Sequence, residues 1–243
     1  MSLTLITLIG FIAGVLGTVT GGFIALPCKV NFRIVSFVLE FSAGLMISVV
    51  LFDLIPHSYE IGSFIVVFLG LVSGIFFTML AQERVKYRNM GIQKNQSRMM
   101  ATGIVMVISV AIHNLPEGLA IGSGFGLSTS LGISLSIAIL VHNIPEGIAL
   151  SLPLKAGGAS KIKIILFSAL AGLPMGIGTY LGVLIGGVSP EIISAALSFA
   201  GGAMLYVAVG DLIPESKRIY VGRRSGICNV LGILSGVLLT KFL

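Results

Sequence analysis

Eight long apolar windows dominate this chain and limit what it can fold into. About 20 consecutive apolar residues make a helix that spans the hydrocarbon core of a bilayer. The runs are continuous, without the alternation that barrel strands require. We therefore predict an all-α polytopic membrane protein in which residues 1–243 form one transmembrane domain of eight helices, at approximately 3–27, 34–55, 61–81, 99–122, 127–152, 164–187, 191–213 and 226–243.

The composition excludes a soluble protein. Charged residues make up 10% of the chain and its mean hydropathy is +1.08, whereas a soluble domain carries about 25% charged residues. In a soluble protein a net charge of +6 would suggest nucleic-acid binding. Here the lipid bilayer is the expected partner and nucleic acid is not, because basic residues near membrane spans act first as topology signals.

The basic residues also predict how the chain is oriented. Fourteen of the fifteen lysines and arginines lie in the four loops on one side of the predicted membrane, and Lys241 lies on the other. Because cytoplasmic loops are rich in Lys and Arg, we expect both termini outside the cytosol. We expect residues 82–98 to be a flexible basic cytoplasmic loop. The compact size and the lack of a recognisable targeting segment lead us to expect the cytoplasmic membrane of a cell.

Two related segments indicate an inverted repeat. Residues 41–56 read FSAGLMISVVLFDLIP and residues 199–214 read FAGGAMLYVAVGDLIP, with eight identities in sixteen positions. Their predicted helices cross the membrane in opposite directions, as the halves of many membrane carriers do. We predict that helices 1–3 and 6–8 form an inverted repeat around a central antiparallel pair, helices 4 and 5.

A sharper repeat lies on that central pair, where HNLPEG at 113–118 is followed by HNIPEG at 142–147. In each motif the His and the Glu are four residues apart and share one helix face. An ionisable side chain at mid-span costs about 2.5–3.5 kcal/mol on insertion, so it needs a partner or a purpose. Two imidazoles, two carboxylates and two amides suit a divalent transition metal. The candidate ligands are His113, Asn114, Glu117, His142, Asn143 and Glu146.

The longer repeat places one carboxylate towards each end of the predicted pathway. Asp53 is expected near the outer mouth and Asp211 near the inner one, where each would attract cations. Met46 lies seven residues before Asp53, two turns away on the same face, and offers a thioether deeper in the path. A methionine on an apolar helix also serves simple packing, and the sequence leaves both roles open.

Several alternatives remain open from the residues alone. The His and Glu side chains would also suit hydrogen bonds that only hold two helices together. The acidic residues would suit a proton channel or a proton-coupled carrier of another solute. An intramembrane metalloenzyme is less favoured, because a zincin carries HExxH and no nucleophile is evident. Glycines spaced by four on the sixth helix predict close helix packing, within the chain or against a second subunit of a homodimer.

The paired motifs, with FSAGLM before them and FAGGAMLYVAVGDLIPES after them, resemble the ZIP (Zrt/Irt-like) family of divalent metal transporters, prokaryotic branch. The resemblance covers essentially the whole chain and implies a non-enzymatic carrier that moves metal towards the cytosol by alternating access. It implies zinc first as substrate, with iron, manganese, cobalt and cadmium as alternatives. It also implies that the six motif residues are the transport-site ligands, that Met46 is a further ligand, and that Asp53 and Asp211 line the pathway.

One position departs from the family pattern. Relatives with a two-metal centre commonly carry a glutamate just before the proline of the sixth helix, where this chain has Leu173. The number of metals per site is therefore left open. We expect Leu173→Glu to add a metal.

Overall fold

A computed structural model describes residues 1–28, 31–89, 95–186 and 189–242. Within these ranges the regular elements are all helical, which confirms the all-α prediction. The helices are α1 (Leu3–Ala25), α2 (Phe32–Val49, Val50–Leu54 and Ile55–Ile61), α3 (Phe64–Asn89), α4 (Asn95–Leu127), α5 (Thr129–Ala156), α6 (Lys161–Gly186), α7 (Pro190–Tyr206, Val207–Leu212 and Ile213–Ile219) and α8 (Arg223–Phe242).

The helices have the lengths that membrane crossing requires. Seven of the described helices, α1 to α7, are long and apolar enough to span a bilayer, and α8 has 20 residues, the length of the eighth predicted span. The protein is therefore a multi-pass membrane protein. Helices α3 and α4 extend to Asn89 and from Asn95, so they take in both ends of the predicted loop 82–98. Residues 90–94 lie outside the described residues, and the flexibility of this segment stays a prediction.

The third segments of α2 and α7 each follow a π-helical turn. The turns are Val50–Leu54 and Val207–Leu212, and the residue after each donates its N–H to a carbonyl five residues back. The next residue is a proline in both helices, Pro56 and Pro214. A proline has no N–H and clashes with the carbonyl four residues back, and a local widening of the helix accommodates it. The repeated Asp-Leu-Ile-Pro sequence thus folds into the same unusual backbone twice.

The helix pairings follow the predicted inverted repeat. Helix α3 packs on α7 and α8 on α2; α1 packs on α5 and α6 on α4; α2 packs on α5 and α7 on α4. The repeat relates α1 to α6, α2 to α7, α3 to α8 and α4 to α5. Replacing each helix by its repeat equivalent converts the first pairing in each of these three couples into the second. The pairs α1–α6 and α4–α5 also pack closely and map onto themselves. The contacts are therefore those that the repeat predicts.

Hydrogen bonds between serines carry the same symmetry. Near the start of α2, Ser36 Oγ lies 2.7 Å from Ser216 Oγ in the last segment of α7. Near the start of α7, Ser194 Oγ donates to the carbonyl of Ser58, in the last segment of α2, at 2.8 Å. Ser36 and Ser194 both lie seventeen residues before the repeated aspartate, and Ser58 and Ser216 five residues after it. Each repeat thus binds the other at equivalent places.

Glycines divide the helices into two bundles. A side chain at Gly178 of α6 would meet the Leu115 carbonyl of α4, and one at Gly232 of α8 would meet the Phe41 carbonyl of α2, both inside the 3.0 Å that Cβ atoms keep from other atoms. Such approaches join α1, α4, α5 and α6 to one another. They also join α3 to α7, α8 to α2 and, through Gly62 directly after α2 and Ser194 of α7, α2 to α7. Among the described glycines, none makes such an approach between the first set and α2, α3, α7 and α8. We call these sets the α4–α5 bundle and the α2–α7 bundle.

Candidate metal-binding site

The site lies on facing sides of α4 and α5. Both helices continue through the proline of their motif, Pro116 and Pro145. On α4, His113 and Glu117 share one face by their spacing of four residues. Because α4 and α5 pack side by side, each motif faces the other near the middle of both helices.

The two motifs bind each other crosswise. His113 Nε2 lies 2.9 Å from Glu146 Oε2, and His142 Nε2 lies 3.0 Å from Glu117 Oε1. All four side chains are at most 1% exposed. The prediction that the paired motifs face each other in the protein interior agrees with this geometry. The pairs also provide the helix-holding hydrogen bonds of the structural alternative, so the pairs alone do not separate the two interpretations.

Unpartnered atoms favour a binding site over hydrogen bonds that only hold the two helices together. Five buried ligand-type atoms of the motifs have no hydrogen-bond partner: His113 Nδ1, Asn114 Oδ1, Glu117 Oε2, His142 Nδ1 and Asn143 Oδ1. A buried polar atom without a partner costs about 1–3 kcal/mol. Hydrogen bonds that only hold the two helices together would not offset this cost, whereas a bound cation would interact with oxygen and nitrogen lone pairs of this kind.

Three motif residues are close enough to share one ion. Ligand atoms of His113, Glu117 and Glu146 lie within 4.8 Å of one another, and all three residues are buried. His142 is joined to this group through Glu117. One imidazole and two carboxylates are ligands that zinc, iron and manganese accept, and two carboxylates balance the charge of a dication. The arrangement can hold a divalent metal.

The asparagines turn towards α6. Asn114 Nδ2 donates to the Ala171 carbonyl at 2.7 Å, and Asn143 Nδ2 lies 3.9 Å from Met175 Sδ. With their NH₂ groups held in this way, both amide oxygens remain without a hydrogen-bond partner. Helix α6 therefore positions the amides rather than adding a charged ligand.

Leu173 does not face the site, contrary to the expectation that a glutamate at this position would add a metal. Its side chain is 40% exposed, while Ala171 and Met175 on the other side of α6 are fully buried. At 100° per residue, position 173 points away from the face that contacts the asparagines. A glutamate there would face away from the site.

Helix α2 reaches the site from the other bundle. Ser42 Oγ donates to Glu146 Oε1 at 3.5 Å, and Met46 lies one turn further along the same face. Met46 is fully buried and belongs to the apolar core that also contains Met175. Its role as a ligand stays a prediction.

The two repeated aspartates lie in the π-helical turns. Ser109 Oγ of α4 donates to Asp211 Oδ2 at 3.4 Å, and Ser109 is one turn before His113, so Asp211 is brought to the edge of the site. Asp53 is half-buried in the other turn, where the His57 ring contacts its backbone carbonyl at 2.8 Å. The structure thus brings Asp211 next to a motif helix. Among the described hydrogen bonds, none connects Asp53 to α4 or α5.

Sequence reasoning missed a buried carboxylate. Glu40 of α2 is 2% exposed and its Oε1 lies 2.8 Å from Lys217 Nζ and 3.2 Å from Ser216 Oγ. An ionisable residue inside a predicted span was the signal that should have identified it. This cluster joins α2 to the end of α7 within the α2–α7 bundle. Ser42 and Ser109 were also missed, although each precedes a candidate residue by one turn.

The family comparison agrees with this geometry. A sequence model described as ZIP Zinc transporter matches residues 82–243, about two thirds of the chain, including both paired motifs and Asp211. The chain belongs to the ZIP zinc transporter family. This ZIP protein is therefore a membrane transporter of divalent metal, a class that is not enzymatic. The match begins after Met46 and Asp53, which the inverted repeat alone connects to the matched region. None of the curated proteins compared with this ZIP protein matches it.

Proposed function

We propose that this ZIP protein carries zinc towards the cytosol, with iron, manganese, cobalt and cadmium as alternative substrates. The metal binds among His113, Asn114, Glu117, His142, Asn143 and Glu146. We further propose the prokaryotic branch of the family, the cytoplasmic membrane, and both termini outside the cytosol, since the basic residues collect in the loops on the opposite side.

The observation that carries this proposal is the set of buried atoms without partners between α4 and α5. Ligand atoms of His113, Glu117 and Glu146 lie within 4.8 Å of one another there, and five buried atoms of the two motifs lack a hydrogen bond. Zinc accepts both nitrogen and carboxylate oxygen. To bind, the ion must displace the His–Glu contacts of 2.9 and 3.0 Å, so the same side chains can bind each other in the empty carrier and the metal in the loaded one.

Alternating access follows from the division into two bundles. The six motif ligands all belong to the α4–α5 bundle, whose helices are held together by glycine contacts. The further candidate ligand, Met46, lies on α2 of the other bundle. The α2–α7 bundle meets it without such contacts among the described glycines. We propose that the α4–α5 bundle moves as one body against the α2–α7 bundle and exposes the metal to each side in turn.

The pathway on either side of the site is assigned from the repeat. Asp53 would receive cations at the outer mouth, and Met46 would offer a thioether next to the Ser42 contact with Glu146. Asp211, held beside Ser109, would receive the metal on the inner side.

The experiment is zinc uptake into proteoliposomes that contain the purified protein and a trapped zinc-sensitive dye. The test variant is Glu117→Ala/Glu146→Ala, and the matched control is Glu191→Ala/Glu215→Ala, which removes two carboxylates near the ends of α7. We expect uptake by the native protein and the control, and none by the test variant. A second dye that reports internal pH separates metal transport from a proton path.

Two outcomes would contradict the proposal. Unchanged uptake in the Glu117→Ala/Glu146→Ala variant, with the variant folded by circular dichroism, would remove the paired motifs from the pathway. Proton movement without metal movement, in the native protein under a zinc gradient, would favour the proton channel instead.

A further inference from the structure

A groove on the surface of the helix bundle is not used by the proposed transport site. It has a volume of about 270 Å³ and lies where α5 meets α2 and α8. Leu231 on its rim is 50% exposed, so in a membrane the groove opens to the hydrocarbon of the lipid. Its other lining residues include Ile34, Phe37 and Phe41 of α2, Pro145 and Ile148 of α5, and Cys228 of α8.

Two arginines lie at one end of this groove. Arg33 precedes Phe37 by four residues and Arg224 precedes Cys228 by four, so each extends the groove-lining side of its helix by about 6 Å. The Arg33 guanidinium lies 5.4 Å above the Tyr220 ring, and Phe37 contacts the same ring edge-on at 6.0 Å. Both arginines are exposed. Within the described part of the chain, neither forms an ion pair with a carboxylate.

We propose that this groove binds an anionic phospholipid, with part of an acyl chain in the groove and the phosphate between Arg33 and Arg224. The apolar lining fits the chain, and guanidinium groups bind phosphate oxygens in pairs. The basic loops of a membrane protein face the leaflet that is rich in anionic lipid. A neutral lipid or a detergent would fill the groove but leave both arginines without an anionic partner.

The groove crosses the boundary between the two bundles. Pro145 and Ile148 belong to the α4–α5 bundle, and Pro145 is adjacent to the candidate ligand Glu146. The remaining lining residues belong to the α2–α7 bundle. A lipid in this groove contacts both bundles and therefore stabilises the arrangement in which the groove has its present shape.

The test is native mass spectrometry of the purified full-length protein with phosphatidylglycerol or phosphatidylcholine added at equal concentration. The test variant is Arg33→Gln/Arg224→Gln, and the control is Arg218→Gln/Arg223→Gln, which removes the same charge from the same side. Each groove arginine should contribute about 5-fold to phosphatidylglycerol binding, so the test variant should bind phosphatidylglycerol about 25-fold more weakly. The control and the phosphatidylcholine titrations should be unaffected.

A phosphatidylglycerol with a photoreactive acyl chain locates the bound lipid. Cross-links to the peptides that carry residues 34–41, 145–148 and 228–231 support the proposal. Equal binding of the two lipids, equal loss in the control variant, cross-links spread over the whole surface, or burial of the groove by a second copy of the chain would each overturn it. None of these measurements depends on zinc uptake, so they succeed or fail independently of the proposed function.

Discussion

Gly178 offers a test of the site that changes no candidate ligand. A Cβ at this position of α6 would collide with the carbonyl oxygen and carbon of Leu115, inside the HNLPEG motif, and with the backbone N of Leu119. Because the nearest obstacles are backbone atoms, α4 and α6 would have to separate by about 1 Å or more to restore van der Waals distance. Overpacking of this kind costs about 1–3 kcal/mol, against which alanine gains about 0.5–1 kcal/mol in helix propensity.

We therefore expect Gly178→Ala to lower the stability of the protein by about 1–2 kcal/mol. It should also weaken zinc binding, because Leu115 lies between His113 and Glu117 and its displacement moves both. Thermal unfolding in detergent and zinc titration by calorimetry measure the two effects. The matched control is Gly226→Ala in α8, where a Cβ would meet nothing within 4 Å, so this variant should be slightly stabilised and bind zinc normally.

The reasoning is refuted if Gly178→Ala is as stable as Gly226→Ala and binds zinc as tightly as the native protein. In that case α4 and α6 would tolerate separation, and the α4–α5 bundle would not be a rigid body that fixes the ligand geometry. A loss of stability with normal zinc affinity would mean that α4 and α6 pack rigidly but that this packing does not determine the ligand geometry.

Three further predictions concern other parts of the molecule. Lys217→Met should lower the free energy of unfolding by about 1–3 kcal/mol, less than for a fully buried pair because the Lys217 side chain is 44% exposed. Lys217→Met/Glu40→Leu should recover most of this loss in thermal unfolding. A double variant no more stable than the single one would contradict the prediction. Leu173→Glu should leave the zinc stoichiometry unchanged, since its side chain faces away from the site; an added zinc in metal analysis would restore the sequence-based expectation. Zinc affinity should fall as pH falls, because protons compete with zinc for the imidazole nitrogens. Calorimetry giving equal affinities at high and low pH would refute this.

The architecture and the centre of the site were predictable from the sequence. Apolar windows located all eight helices, because the thickness of the bilayer fixes their length. Most ends were placed within five residues, but α2, α3 and α7 extend six to eight residues beyond their predicted ends. The spacing of four residues put His113 and Glu117 on one face, and the duplicated motif supplied the opposite face. These are local rules, which depend on few contacts.

The other features depend on how helices rotate against each other. The sequence placed Leu173 at the site by analogy, but the orientation of α6 is set by its glycine contacts with α1 and α4 and turns Met175 inward instead. The partnership of Glu40 with Lys217 joins residues 177 positions apart, and no periodicity indicates such a pair. The π-helical turns around Asp53 and Asp211 were also not foreseen, although the proline three residues after each aspartate is their physical cause.

Keeping all six candidate ligands in one bundle has a thermodynamic consequence. If that bundle moves as a body, the ion keeps these six ligands whichever side it faces. Its dissociation constant is then similar at both membrane surfaces unless Met46 of the other bundle also binds it. The hydrogen bond from Ser42 to Glu146 comes from the other bundle, but at 3.5 Å it is at the limit of hydrogen-bonding distance, so its loss should change the affinity little. Such a carrier does not by itself favour transport in one direction. The flux of metal is then set by the free concentrations on the two sides, and net import depends on the cell keeping its own free metal scarce.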